Sequence, residues 1–83
     1  MDILEKDLTK LVVEIISTIS EVDIKKISPD ADLPSDIGVD SMMGLEVMYA
    51  IERKLKIHLG ENDLPKMRTV RSICNLIKEN LNK

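Results

Sequence analysis

The 83 residues carry a formal net charge of −3, and this acidic balance argues against a nucleic-acid partner, because phosphate binding needs a basic face. No apolar run approaches the roughly 20 residues of a membrane span, and the acidic N-terminus is unlike a signal peptide. The single cysteine, Cys74, cannot form an internal disulfide, so residues 1–83 are expected to form one cytoplasmic domain.

Apolar residues recur at three- and four-residue steps in three stretches, which predicts three amphipathic helices. We expect them from about Ile3 to Ser20, from about Ser41 to Leu55 and from about Thr69 to Leu81, with Thr69 as the cap of the third. Asp2 followed by Glu5 resembles a capping pattern at the start of the first.

The stretch "ENDLPKM", between the second and third predicted helices, has room only for a short turn of helix. Pro65 is expected to be tolerated there only in the first turn. Since no strand-like alternation competes, the predicted fold class is all-α. It is a small four-helix bundle of three longer helices and one short helix, with a long loop between the first two.

The loop from Glu21 to Asp40 is long for so small a domain. Apolar residues along it predict that it is anchored to the core, and two prolines stiffen it. The expected anchors are Val22, Ile24, Ile27, Leu33, Ile37 and Val39. Such a loop would hold Ser41 in one defined position.

Ser41 lacks the partners of a catalytic nucleophile, which needs a base and oxyanion donors. The single histidine, His58, is seventeen residues further on and beyond the far end of the predicted helix, more than ~20 Å away. One reading is that Ser41 or Asp40 only caps the helix. The other is that the positive end of the helix orients a phosphate esterified to the serine, with Gly38 allowing the chain a tight approach to the helix.

The stretch "IGVDSM" resembles the attachment motif L-G-x-D-S-L of the acyl carrier proteins. Gly38, Asp40 and Ser41 match it identically, while Ile37 and Met42 are conservative replacements for its leucines. The resemblance covers essentially the whole chain, from the long first helix to "RTV", which matches the T-T-V that opens the family's last helix.

This resemblance implies that Ser41 carries 4′-phosphopantetheine, installed from coenzyme A by a phosphopantetheinyl transferase. Its thiol would hold acyl groups as thioesters and present them to acyl-loading and acyl-processing enzymes of fatty-acid, lipid or polyketide-type biosynthesis. The chain itself would not be an enzyme, because the chemistry belongs to the cofactor and the partners. The expected protein is a free-standing, monomeric acyl carrier.

The positional match also suggests residues that could shelter an acyl chain. Gly44 is the most informative of them, because it follows Ser41 by one turn and has no side chain to close the pocket mouth. The candidates are Gly44, Val47, Ile51, Leu59, Leu64 and Met67. The competing interpretation is that these residues are ordinary core.

The second helix departs from the strongly acidic face that the family uses to bind partner enzymes. Met43 replaces a common acid and is expected to be exposed, while Arg53 and Lys54 replace glutamates, although cations also suit a helix C-terminus. We therefore expect partners in a dedicated pathway. The candidate recognition residues are Met42, Met43, Glu46, Glu52 and Arg53.

Three other features have simpler interpretations. Cys74 is expected in the core, and His58 at the surface without a metal. The stretch "DADLPSD" resembles a calcium loop but lacks its glycine and terminal glutamate, so it predicts a solvated acidic loop.

Two alternatives to an acyl carrier stay open. One is a carrier of an amino acid or another specialised unit, which Asp40 disfavours, because peptide-synthetase carriers have glycine there. The other is a helical interaction module in which Ser41 is only a cap.

Overall fold

The computed structural model describes residues 4–81, which form three longer helices and three short helical turns, with no strand in that range. The longer helices are α1 (Glu5–Ser20), α2 (Ser41–Leu55) and α3 (Val70–Leu81). The short turns are Ile24–Lys26, Leu33–Ile37 and Glu61–Lys66. The predicted all-α class and its long helices are confirmed.

The ends of the long helices have local causes. α1 ends because Glu21 adopts a left-handed conformation with φ 61° and donates its N–H to the Ser17 carbonyl. Thr69 caps α3 as predicted, since its Oγ1 accepts from the Ser72 N–H at 3.0 Å, while Ser72 Oγ accepts from the Thr69 N–H at 3.1 Å. The predicted cap Asp2 lies outside the described residues.

The three helices enclose one aliphatic core, in which α1 packs against both α2 and α3. Each helix contributes apolar residues to it, and its sulfur atoms come from Met48, Met67 and Cys74. The most deeply buried side chains of the three helices are Leu8, Val12, Ile16, Val47, Met48, Ile51, Val70, Ile73 and Ile77. The core position predicted for Cys74 is confirmed.

The loop between α1 and α2 is anchored, although not by every residue predicted. Ile27, Leu33 and Val39 are buried, and Val22 and Ile37 pack partly against the core. Ile24, in contrast, is 42% exposed, so its prediction as an anchor is wrong. It opens a single 3-10 turn that turns its side chain away from the core.

Ion pairs tie this loop to the start of α3. The Arg68 guanidinium donates to Asp32 Oδ1 at 2.7 and 3.0 Å, and Arg71 donates to both carboxylate oxygens of Asp30 at 2.7 and 3.1 Å. The Asp36 carboxylate accepts from the Asp32 N–H at 2.9 Å. The acidic loop is largely exposed, as predicted, and its carboxylates also bind arginines and backbone.

The short helix Glu61–Lys66 forms where expected, but Pro65 is its fifth residue, so its predicted place in the first turn is wrong. Two successive 3-10 turns explain this position: the Asp63 N–H donates to the Gly60 carbonyl, and the Met67 N–H donates to the Leu64 carbonyl. Pro65 directly follows Leu64, at the start of the second turn, where its missing N–H is not needed.

Candidate functional site

The site is built at the N-terminus of α2, where Ser41 is the first helical residue and is exposed. Asp40 has an extended backbone, and its Oδ1 accepts from the Met43 N–H at 2.9 Å, so it is the N-cap. The Asp40 carbonyl accepts from the Gly44 N–H at 2.8 Å. Asp40 therefore performs the capping, and the Ser41 hydroxyl is left at the positive end of the helix.

Gly38 reverses the chain just before this helix. Its φ is +88°, a conformation that a side chain disfavours, and it ends the π-helical turn Leu33–Ile37 by donating its N–H to the Leu33 carbonyl. A Cβ at this position would meet nothing within 4 Å. Gly38 therefore gives the chain its tight approach to α2 through its backbone conformation, and crowding around it plays no part.

Ser41 lies on the wall of a cleft of about 370 Å³ between α2, the loop and the short helix. Hydrophobic side chains form most of its surface, and Asp40 and Arg68 are its charged residues. The lining residues are Leu33, Pro34, Val39, Asp40, Ser41, Gly44, Leu64, Pro65, Met67 and Arg68. The serine hydroxyl and an apolar recess are thus adjacent, which suits a tether that ends in an apolar group.

The six residues predicted to shelter an acyl chain fall into two groups. Gly44, Leu64 and Met67 line the cleft beside Ser41. Val47, Ile51 and Leu59 lie behind it in the core, each at most 2% exposed. The structure thus gives the first group direct access to the cleft and places the second among tightly packed side chains.

Gly44 faces Leu64 across the cleft. A Cβ built on Gly44 would lie 3.2 Å from Leu64 Cδ1, closer than an ordinary contact, although the end of a leucine can yield. The missing side chain therefore keeps α2 and the short helix in close contact at the inner wall of the cleft.

The outer surface of α2 carries three of the five predicted recognition positions. Met42 is 74% exposed, and Glu46 and Arg53 are also exposed. Met43 packs partly against the core, so its predicted exposure is wrong: the α-helical register turns it inward and leaves Met42 outward. Tyr49, 44% exposed two turns after Met42, lies on the same surface and was missed.

Glu52, the fifth recognition candidate, has internal partners. Its Oε2 accepts from the Leu59 N–H at 2.7 Å and lies 3.2 Å from His58 Nδ1. It thereby holds the segment that follows α2 back against the helix. The side chain of His58 is 92% exposed at the opposite end of α2 from Ser41, as predicted.

Several cleft residues were not predicted as part of the site. Leu33 and Val39 could have been found, because the apolar residues of the loop pointed to it as an anchored segment. Pro34, Pro65 and Arg68 give no such signal, since only the folded chain brings them beside Ser41. Within residues 4–81, no group of three metal-ligating side chains occurs.

The family described as "Phosphopantetheine attachment site" matches residues 10–77, which include the cleft, Asp40 and Ser41. The chain belongs to the acyl carrier protein family. It is a non-catalytic carrier of acyl groups on phosphopantetheine, and the resemblance inferred from "IGVDSM" is confirmed.

Three relatives show the range of this family. The acyl carrier protein of Streptomyces coelicolor is 33% identical over 76% of this chain and 68% of its own length. The non-reducing polyketide synthase dbaI of Emericella nidulans is 33% identical over 87% of the chain, which spans 3% of that synthase. Acyl carrier protein 2, mitochondrial, of Arabidopsis thaliana is 26% identical over 80% of the chain and 52% of its own length. In residues 4–81, no helix is long and apolar enough to cross a membrane.

Proposed function

We propose that Ser41 is the residue to which 4′-phosphopantetheine is attached, by transfer from coenzyme A to its hydroxyl. The observation that carries this proposal is an exposed serine that opens α2 on the wall of an apolar cleft. Asp40 already caps the helix, so the hydroxyl is free of that structural task. A phosphopantetheinyl transferase would perform the transfer, because the Asp40 carboxylate is engaged as the helix cap and the single histidine, His58, lies at the opposite end of α2.

The residues around Ser41 suit such a group. The exposed first turn of α2 leaves room for a bulky ester, and its unpaired N–H groups favour negative charge. When bound, the group supplies a thiol that holds an acyl unit as a thioester. Gly38 and Asp40 fix the position of the serine, the first through its backbone conformation and the second through its cap.

An attached acyl chain would enter between Gly44 and Leu64. These residues and Met67 line the cleft, and Val47, Ile51 and Leu59 form the core directly behind them. An aliphatic core without Phe or Trp consists of flexible side chains, so modest shifts of α2 against Glu61–Lys66 would extend the cleft inward. The first group then acts as an entrance and the second as the lining of a deeper pocket.

Partner enzymes would bind the outer surface of α2. Met42 and Tyr49 offer exposed apolar area there, flanked by Glu46 and Arg53. Exposed apolar side chains of this kind often mark interaction sites. Because the surface combines apolar groups with both signs of charge, it fits partners of a dedicated biosynthetic pathway with a matched, less basic docking site.

The experiment that tests the attachment residue is intact mass after incubation with coenzyme A and a broad-specificity phosphopantetheinyl transferase. The parent chain and a Ser28→Ala control, which removes another exposed serine, should each gain one phosphopantetheine unit. Ser41→Ala should gain none. A folded, initially unmodified parent that gains no mass would instead favour the helical interaction module, with Ser41 as a simple helix residue.

The carrier is also proposed to be monomeric and cytoplasmic. Among the described residues, the large exposed hydrophobic side chains are Leu4, Ile24, Met42 and Tyr49, of which only the last two share an element, α2. A stable dimer interface typically involves about 20–30 residues on each side, so these few side chains do not favour self-association. Sedimentation at several concentrations tests the first proposal. Cell fractionation tests the second, for which a mitochondrial location is the competing outcome.

A further inference from the structure

Arg68 is the single basic residue among those that line the cleft beside Ser41. It lies in the segment that joins the short helix to α3. The other charged residue of the lining is Asp40, adjacent to Ser41 in the chain. A negatively charged group on the serine would therefore meet one carboxylate and one guanidinium.

Backbone hydrogen bonds connect Arg68 to the segment that precedes the serine. The Leu33 N–H donates to the Arg68 carbonyl at 2.8 Å, and the Leu33 carbonyl accepts from the Val39 N–H at 2.9 Å. Leu33 is itself buried. One buried residue thus bridges Arg68 and Val39, which precedes Ser41 by two positions.

Asp32 orients the side chain of Arg68 but does not use all of its N–H donors. Its Nε and Nη2 both donate to the same oxygen, Asp32 Oδ1, at 3.0 and 2.7 Å. Asp32 is held in turn by the N–H and hydroxyl of Ser35. A guanidinium has five N–H donors, and this side chain is still 62% exposed, so donors remain for a second anion.

From this geometry we propose that Arg68 binds the phosphodiester of the phosphopantetheine arm, an inference that rests on Ser41 being the attachment residue. Arginine suits this task because its planar fork matches phosphate oxygens and keeps its charge at every physiological pH. Asp32 positions the guanidinium at the cleft, and the phosphodiester takes the donors that Asp32 leaves. The attraction to the guanidinium thereby offsets part of the repulsion between the phosphodiester and Asp40.

Arg71 provides a matched control. It also lies near the start of α3 and also binds a loop aspartate, Asp30, through two hydrogen bonds. It is 60% exposed, like Arg68, but it does not line the cleft. Arg68→Gln and Arg71→Gln therefore each remove one loop-to-α3 ion pair, and only the first removes the cation beside Ser41.

The first readout is the midpoint of thermal unfolding for the apo and phosphopantetheinylated forms of each variant, after intact mass has shown complete modification. In Arg68→Gln, the holo-minus-apo difference should fall below that of the parent by about 1–5 °C at low salt. In Arg71→Gln, the holo-minus-apo difference should equal the parent value. About 0.5 M NaCl should remove most of the difference between Arg68→Gln and the parent. Arg68→Lys, which keeps the charge without the fork, should lie between the parent and Arg68→Gln.

The second readout needs no variant of uncertain stability. The Nε–Hε resonance of Arg68 in the parent should shift on modification, while that of Arg71 should stay in place. Equal holo-minus-apo differences in all variants, together with an unmoved Arg68 resonance, would overturn the inference. Absence of modification in the parent would overturn the attachment at Ser41 itself, so the two failures are distinguishable by mass.

Discussion

Met42 and Met43 are neighbours in the first turn of α2 with opposite surroundings. Met42 is 74% exposed, whereas Met43 packs against the core. Met43→Ala should lower the free energy of unfolding by about 1 kcal/mol or more, because it removes buried apolar contacts. Met42→Ala should change it by less than about 0.5 kcal/mol. Urea unfolding of both variants checks this.

The same pair separates stability from partner binding. Met42→Ala should raise the KM of a partner enzyme for the acylated carrier, because it removes exposed apolar area from the proposed docking surface. Met43→Ala should leave that KM nearly unchanged at temperatures where the variant is folded. The reverse order of effects would contradict the assignment of Met42 to the partner surface.

Gly44 should respond differently to a small and to a large side chain. Gly44→Ala should leave the domain as stable or make it up to about 1 kcal/mol more stable, because the gain in helix propensity opposes the close approach to Leu64. Gly44→Leu should fill the cleft entrance and expose an attached acyl chain. Its acyl thioester should then be cleaved faster by hydroxylamine.

Two measurements keep this prediction decisive. Circular dichroism must show that Gly44→Leu retains its helices, and Gly44→Ala serves as the control for a change at the same position. An unchanged thioester half-life in the folded leucine variant would show that the acyl chain does not enter between α2 and the short helix.

At the scale of elements, the ion pairs between the loop and α3 make stability depend on pH. The Arg71 guanidinium lowers the pKa of Asp30, and hydrogen bonds from Ser35 and then Arg68 lower the pKa of Asp32. Both carboxyls therefore bind protons more weakly in the folded chain than in the unfolded chain. Their contribution is present above the ordinary value of 3.8 and is lost as pH falls below it through the folded values.

The free energy of unfolding should accordingly decline as the pH is lowered from about 5 towards 3. Asp30→Asn combined with Asp32→Asn should be less stable than the parent at pH 7 and should show a shallower decline. Urea titrations at several pH values measure both effects. An identical slope in parent and double variant would assign the acid sensitivity to other carboxyls, such as Glu5, whose pKa Lys78 lowers.

The long helices could be predicted because each carries a complete apolar stripe and a local end signal. Thr69 and Ser41 mark starts that depend on neighbours within three residues, which the sequence displays directly. The loop behaves differently. Arg71 and Asp30 are separated by 41 positions, so no periodicity reveals their pairing. The prediction of a solvated acidic loop did not include these ion pairs, because charge alone does not say which partner folding will supply.

At the scale of the whole molecule, a core without large aromatic rings depends on many aliphatic contacts. Ile51 is fully buried where α2 faces the rest of the core. Ile51→Ala should lower the free energy of unfolding by about 2–5 kcal/mol, a large share of the roughly 5–15 kcal/mol typical of a domain. Ile51→Val should cost about 1 kcal/mol. Chemical denaturation of both variants measures the difference.

The sequence predicted the family and the residue Ser41, but not the shape of the cleft. The motif around Ser41 identified the family, because the motif is local and its residues match in order. The cleft is assembled from α2, the loop and the short helix, so Arg68 and Pro65 join it only through tertiary packing. Separating the cleft entrance at Leu64 from the deep core at Val47 likewise required burial, which spacing along a helix does not provide.

Cys74 has a consequence for the chemistry of the loaded carrier. It is 4% exposed, its sulfur lies 3.8 Å from Thr9 Oγ1, and burial raises the pKa of its thiol. Only a thiolate attacks disulfides or thioesters efficiently. The single cysteine of the polypeptide therefore does not compete with the prosthetic thiol for the acyl group. In the folded protein, a thiol-specific dye should count prosthetic arms and nothing else.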